Sequence, residues 1–230
     1  MGKEKIKFVH MDDTIQVIQL AMSTETNLIL YGKGGYGKSE LSKQMLKDAG
    51  YKVNTIVGHS GTQVEQLFGI PNMKKLMDDS EYELAFEKSP FINADVLILE
   101  EFLDVPPDVS SALKDVISEG GYRAKNKFIK SNVKFIIICT NKSPDEMEST
   151  DSYNAFYKER FPLHHEVVWR NHPTKYYEDL FKYNTELENE AIVTLSQICS
   201  AAKISPRLAL TAAAFYEKTK DFASIGHIKT

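Results

Sequence analysis

Short runs of apolar residues alternate along the chain with longer stretches whose apolar positions recur every three or four residues. The runs are NLILY (27–31), YKVNTIV (51–57), DVLIL (95–99), NVKFIIICT (132–140) and HEVVW (165–169). Each is short, rich in Val and Ile, and lies between candidate helices. Runs that are apolar at consecutive positions, rather than at alternate ones, belong to strands buried on both faces. The pattern therefore predicts an α/β fold, a parallel sheet sandwiched by helices. After Asn171-His172-Pro173 the style changes, and no strand-like run follows. Three helices are predicted there, near 174–183, 186–202 and 206–219. We place a domain boundary at about 171, giving an α/β domain (1–171) and a small all-α C-terminal domain (172–230).

Composition narrows the class without altering this picture. The 230 residues carry 28 Lys+Arg against 32 Asp+Glu, a net charge of −4, with 42 % hydrophobic residues. That is an ordinary globular composition, long enough to bury a sizeable core. No uncharged stretch reaches the roughly 18 residues needed to cross a bilayer. The start, MGKEKIKF, has positive charge but no apolar segment of a signal peptide, and Ile6 breaks the myristoylation pattern. Two cysteines, one inside FIIIC, point to a reducing compartment, so a cytoplasmic location is expected, with no membrane partner. The mildly acidic balance disfavours nucleic acid as the main partner and leaves it open.

One segment carries specific chemistry. Gly32-Lys33-Gly34-Gly35-Tyr36-Gly37-Lys38-Ser39 fits G-x-x-x-x-G-K-[ST], between the strand NLILY and the helical pattern SELSKQMLKDAG. Glycines let the backbone wrap phosphates with N–H groups turned inward, and the following helix N-terminus adds positive partial charge. Lys38 is expected to reach the β- and γ-phosphates, Ser39 to ligate Mg²⁺, and Glu40 to lie in the same anion-binding first turn. Gly32, Gly34 and Gly37 also satisfy G-x-G-x-x-G. A dinucleotide site, however, needs an acid near the end of the second strand, and YKVNTIVGHS has none.

About sixty residues after Lys38, DVLILEEF places Glu100 and Glu101 at the end of a hydrophobic strand. In P-loop NTPases an acid here holds Mg²⁺ and its neighbour polarises the attacking water. We assign Glu100 to Mg²⁺, through water, and Glu101 to the general base. These enzymes usually carry Asp at the first position, and the longer Glu makes slow hydrolysis one expectation.

Together these residues resemble the AAA+ ATPases, in particular their MoxR and dynein-related branch, over most of the chain. The segment VLILEEFLDVPPDVSSALKDVISEGGYR is similar to that branch's acidic strand end, proline, amphipathic helix and glycine-led hairpin. The resemblance makes Asn141, after FIIICT, the sensor-1 residue, Arg160 in KERF the arginine finger, and Arg207 in SPRLAL the sensor-2 residue of a helical lid. Ser205-Pro206-Arg207 reads as N-cap, N1 and N2 of a helix. A cation in the first turn opposes the helix dipole at a cost of some tenths of a kcal/mol, which suggests a use for the charge. The resemblance also places hairpins at YELAFEKSPF (82–91) and GYRAKNKFIK (121–130), the second locally basic through Arg123, Lys125, Lys127 and Lys130.

His164 and His165 are adjacent and would face opposite sides of a strand, and no third residue stands at metal-ligand spacing. What the resemblance implies is an ATP- and Mg²⁺-dependent hydrolase. It would work as a homo-oligomeric ring, a hexamer, that remodels or assembles a protein partner. A DNA-associated motor or loader, a slow-hydrolysing nucleotide switch, and GTP in place of ATP remain open at this level. Body and lid leave little length for an adaptor, so specificity is expected from a partner or from the hairpins.

Overall fold

The computed structural model describes residues 5–64, 67, 90–124, 127–148, 155–168 and 173–222. Strands β1 (Leu28–Tyr31), β2 (Val53–Val57), β3 (Val96–Glu100), β6 (Phe135–Thr140) and β7 (Leu163–Glu166) form one sheet in the order β2-β3-β6-β1-β7. All of its pairings are parallel. Strands β4 (Gly121–Ala124) and β5 (Lys127–Lys130) form a separate antiparallel ribbon.

The three central strands, β3, β6 and β1, are buried almost throughout, as their unbroken apolar runs require. Because successive side chains point to opposite faces, each strand feeds two cores. Ile29, Leu97, Leu99, Ile136 and Ile138 face one layer, with Val109, Leu113 and Val116 of helix α4 (Pro107–Glu119) and Phe91 of α3 (Pro90–Asn93). Leu28, Leu30, Val96, Ile98, Ile137 and Cys139 face the other. There they meet Ile18 and Ala21 of α1 (Asp12–Thr24) and Leu41 and Leu46 of α2 (Lys38–Asp48). Two short helices follow β6: α5 (Pro144–Glu148) and α6 (Ala155–Arg160).

A third core stands apart from the sheet. Helices α7 (Thr174–Asn184), α8 (Asn189–Ala202) and α9 (Pro206–Thr219) pack through Tyr177, Leu180, Phe181, Leu195, Cys199 and three alanines of α9. Val9, from the segment before α1, inserts into this helical core. The α/β sheet flanked by helices, followed by a helical C-terminal part, is the architecture read from the sequence. Among the described residues no helix is long and apolar enough to cross a membrane.

Four elements differ from expectation by two residues or more at a boundary. β2 begins at Val53, not 51, and β6 at Phe135, not 132. The last strand begins at Leu163 and ends at Glu166 instead of spanning 165–169, because its pairing with β1 starts at Leu28↔Leu163. It is an edge strand with alternating burial, so its apolar run marks it less sharply than a central strand's. The second C-terminal helix begins at Asn189, not 186, after an extended Glu188. The boundary at 171 and residues 82–89 of the first hairpin lie outside the described residues. Pro90 and Phe91 of that segment belong to α3.

Candidate functional site

Parallel strands end on the same side of the sheet, and loops leaving neighbouring ends meet there. Register places Tyr31 beside Thr140 and Glu100 beside Cys139, so the residues that follow β1, β3 and β6 converge. Gly34, Gly35, Tyr36, Gly37, Lys38, Ser39, Glu40, Glu100, Glu101, Asn141 and Arg207 line one cleft of about 240 Å³, with Lys43 and Cys139. Gly32 does not line the cleft; its carbonyl accepts a hydrogen bond from Lys38.

Three glycines of the loop, Gly32, Gly35 and Gly37, have positive φ and no room for a Cβ, and two of them fix how the loop sits against its neighbours. Gly32 has φ +130°, and a Cβ there would stand 2.7 Å from the backbone oxygen of Val167. Gly35 has φ +83°, and its Cβ would stand 2.8 Å from Ser205 Oγ. The second approach seats the start of α9 on the loop. Ser205 caps that helix by accepting from the Leu208 amide at 3.4 Å, Pro206 follows, and the Arg207 amide donates to Gly35 O at 3.4 Å. The cap, N1 and N2 assignments therefore hold.

Helix α2 begins without a side-chain cap, so its first-turn amides at Lys38, Ser39 and Glu40 have no side-chain acceptor. Lys38 is buried, and its ammonium donates to Gly32 O at 2.6 Å, Lys33 O at 2.9 Å and Asn141 Oδ1 at 3.0 Å. Burial pushes its pKa below that of a free lysine. Cys139, Glu101 and Glu100 oppose that shift, and Arg207 adds to it. A desolvated cation among uncapped amides is a donor set that fits a polyanionic phosphate chain. Ser39 of α2 and Glu100 at the end of β3 line the same cleft and are the oxygen donors that would take a divalent cation there. Among the described residues no three acids, histidines or cysteines are grouped to hold one.

Glu101 adopts a left-handed backbone, φ 50° and ψ 27°, unusual for a residue with a Cβ. Its amide donates to Cys139 O at 2.9 Å, and its Oε2 accepts from the Asn141 amide at 3.4 Å. The acid and the amide are thus held together across the ends of β3 and β6. Ser39 is hydrogen-bonded through its hydroxyl to the Cys139 sulfur, and burial pushes that thiol up to about 12.

Arg160 does not join this cleft. Its side chain is exposed at the end of α6, and its carbonyl accepts from Asn27 Nδ2 at 2.8 Å. Asn27 Oδ1 accepts from the Ile136 amide at 2.8 Å, so one asparagine fixes the end of α6 against β6. His165 meets Thr14 Oγ1 at 3.0 Å through Nε2, while His164 is exposed.

Besides Asn27, three features escaped the sequence reading. Lys43 reaches Glu100 Oε1 at 2.8 Å, and its spacing of four from Ser39 put it on that helix face. Cys139 supports Ser39 from below. The segment before α1 is clasped by Asn184: the Lys7 amide donates to Asn184 Oδ1 at 2.7 Å, and Asn184 Nδ2 donates back to Lys7 O at 2.9 Å. Two larger cavities, of about 760 and 460 Å³, flank the loop, and Val9, Met11, Tyr36 and Tyr176 border both.

Comparison with known families adds the deciding observation. Residues 27–161, more than half of the chain and the whole run from β1 through α6, match the model of the AAA domain, dynein-related subfamily. The chain belongs to that AAA family. Its fold agrees. The AAA chain superposes on a candidate ATPase from Cytophaga hutchinsonii with a TM-score of 0.57 and 17 % identity, covering 84 % of this chain and 59 % of that one. It superposes on the RuvB Holliday junction branch migration motor of Thermotoga maritima with a TM-score of 0.59 and 13 % identity, covering 98 % and 71 %. A point mutant of that RuvB reaches 0.62. At these identities the likeness is one of fold. The AAA chain thus spans less than two thirds of the Cytophaga protein's length. No curated protein sequence matches it.

Proposed function

We propose that this AAA protein binds and hydrolyses ATP in the cleft between loop 32–39 and α9, at the subunit interfaces of a MoxR-like hexameric ring. The observation that carries the reading is the convergence of Lys38, Glu100, Glu101, Asn141 and Arg207 on the uncapped start of α2. The triphosphate lies along the loop amides and Lys38, with Arg207 closing over it from helices α7–α9 of the C-terminal lid. Base and ribose occupy the space bordered by Val9, Met11, Tyr36 and Tyr176. Ser39, and Glu100 through water, would hold Mg²⁺, which supplies charge neutralisation to the phosphates.

The chemistry is hydrolysis of the terminal phosphoanhydride. A water attacks the γ-phosphorus, its proton passes to the Glu101 carboxylate, and the bond to the β-phosphate oxygen breaks. Asn141, held by Lys38, orients that water. Arg160 is exposed and does not line its own cleft, which suits a group that reaches a neighbour's nucleotide. Such fingers contribute about 10³–10⁵ in rate. Relative movement of lid and body then remodels or assembles a protein partner.

Subunit mixing tests this reading. Lys38→Ala should lose nucleotide binding, Arg160→Ala should keep binding and lose turnover, and a mixture of the two should recover part of the activity. A mixture no more active than its components would contradict a finger acting between subunits.

The basic ribbon β4–β5, with Arg123, Lys125, Lys127 and Lys130 in its sequence, supports a second reading, a DNA-associated motor or loader. ATP turnover stimulated by duplex or junction DNA, with steep salt dependence, would select it.

A further inference from the structure

The cleft holds a cation that the reading above does not use. Lys43 lies on α2 four residues beyond Ser39, and its ammonium contacts Glu100 Oε1 at 2.8 Å. Both side chains are 27 % exposed, enough to face the cleft and too little to be surrounded by water. The pair is therefore a charge-assisted hydrogen bond in a screened but not fully solvated place. It occupies one oxygen of the carboxylate assigned to the metal.

Charge in the cleft is balanced. Lys38, Lys43 and Arg207 line it, against Glu40, Glu100 and Glu101. Without Lys43, two cations would face three carboxylates before any phosphate entered. A glutamate left bare beside a triphosphate repels it, and a divalent ion becomes the means of bridging the two. With Lys43 in place, Glu100 is neutralised from within the chain, and the ammonium competes with a metal for the same carboxylate.

We propose that Lys43 is a built-in counter-ion of the phosphate cleft that sets how strongly nucleotide binding depends on divalent metal. It lets the cleft hold a nucleoside triphosphate in the absence of Mg²⁺ and lowers the advantage that Mg²⁺ confers. Lys43 acts through Glu100 and is a positioning residue, not a catalytic one. The proposal rests on the reading of the cleft as a triphosphate site.

The test is the ratio of two dissociation constants for a fluorescent ATP, one in EDTA and one in Mg²⁺, measured on the full chain. Lys43→Met should raise that ratio roughly tenfold or more over wild type, by weakening binding in EDTA while sparing it in Mg²⁺. Lys43→Arg, which keeps the charge, should hold the wild-type ratio. Lys43→Gln takes the place of the Met variant if that protein does not fold. A merely structural ion pair would lower the melting temperature and leave the ratio unmoved, which overturns the proposal. A ratio that falls in Lys43→Met overturns it as well. Wild type that binds in neither buffer would remove the triphosphate reading itself, a result distinct from binding with an unchanged ratio.

Discussion

Glu101 shows most plainly how single residues shape this site. A side chain with a Cβ in the left-handed region is a strained choice, typically costing about 1–3 kcal/mol, and it persists where surrounding bonds determine it. Here the Glu101 amide to Cys139 O and the Asp104 amide to Glu101 O impose the turn that sends the carboxylate toward Asn141. Cys139 contributes from the other side as a small, neutral, buried group under Ser39. Burial pushes both Cys139 and Cys199 up to about 12, so thiolate emerges only at strongly alkaline pH. At pH 8 the thiolate fraction of such a group is about 10⁻⁴. Native protein at that pH should therefore show no fast-reacting thiol toward an aromatic disulfide reagent, and denaturant should release both. Rapid modification of Cys139 in the native state would contradict its place beneath the loop.

Among the elements, the junction between β1 and α2 is under the tightest constraint. Gly32 and Gly50 both have positive φ, but a Cβ at Gly32 meets the Val167 carbonyl at 2.7 Å, whereas at Gly50 it meets nothing within 4 Å. Gly50→Ala should thus cost the backbone strain alone, about 1 kcal/mol, and Gly32→Ala about 2–3 kcal/mol or more. For a chain of this size each kcal/mol lowers the melting temperature by roughly 2–4 °C. Equal melting shifts for the two variants would remove the argument from close packing.

What was legible in the sequence follows the same physics. β1, β3 and β6 are buried on both faces, so their composition alone announced them. The edge strand β7 is only partly buried, at alternate positions, and its limits were misread by two to three residues. The start of β6 was misread by three, because the polar residues ahead of Phe135 carry no burial signal. The loop 32–39 was legible because one continuous segment carries its chemistry. Asn27, Lys43 and Asn184 were not, because each acts on a partner far along the chain: residues 136 and 160, residue 100, and residue 7. No local pattern encodes such pairs; only the register of the sheet and the docking of the helices create them.

At the scale of the whole molecule, the site is made where three cores meet. The sheet supplies Glu100, Glu101 and Asn141 at its strand ends, α2 supplies Lys38, Ser39 and Lys43, and the C-terminal helices supply Arg207. The segment before α1 ties these parts together, since Val9 packs in the helical core while Phe8 lies against Gly37 of the loop. A nucleotide in the cleft would touch all three parts at once, which is how its hydrolysis would move one against another. On the function proposed above, the cleft turns over ATP with Glu101 as the base. Phosphate release at saturating Mg²⁺ and ATP, compared between wild type and Glu101→Gln at matched nucleotide occupancy, tests it most directly. The predicted result is equal binding with turnover lowered about 10²–10⁴-fold in the variant. Equal turnover in the two proteins, or none in wild type, would contradict the account.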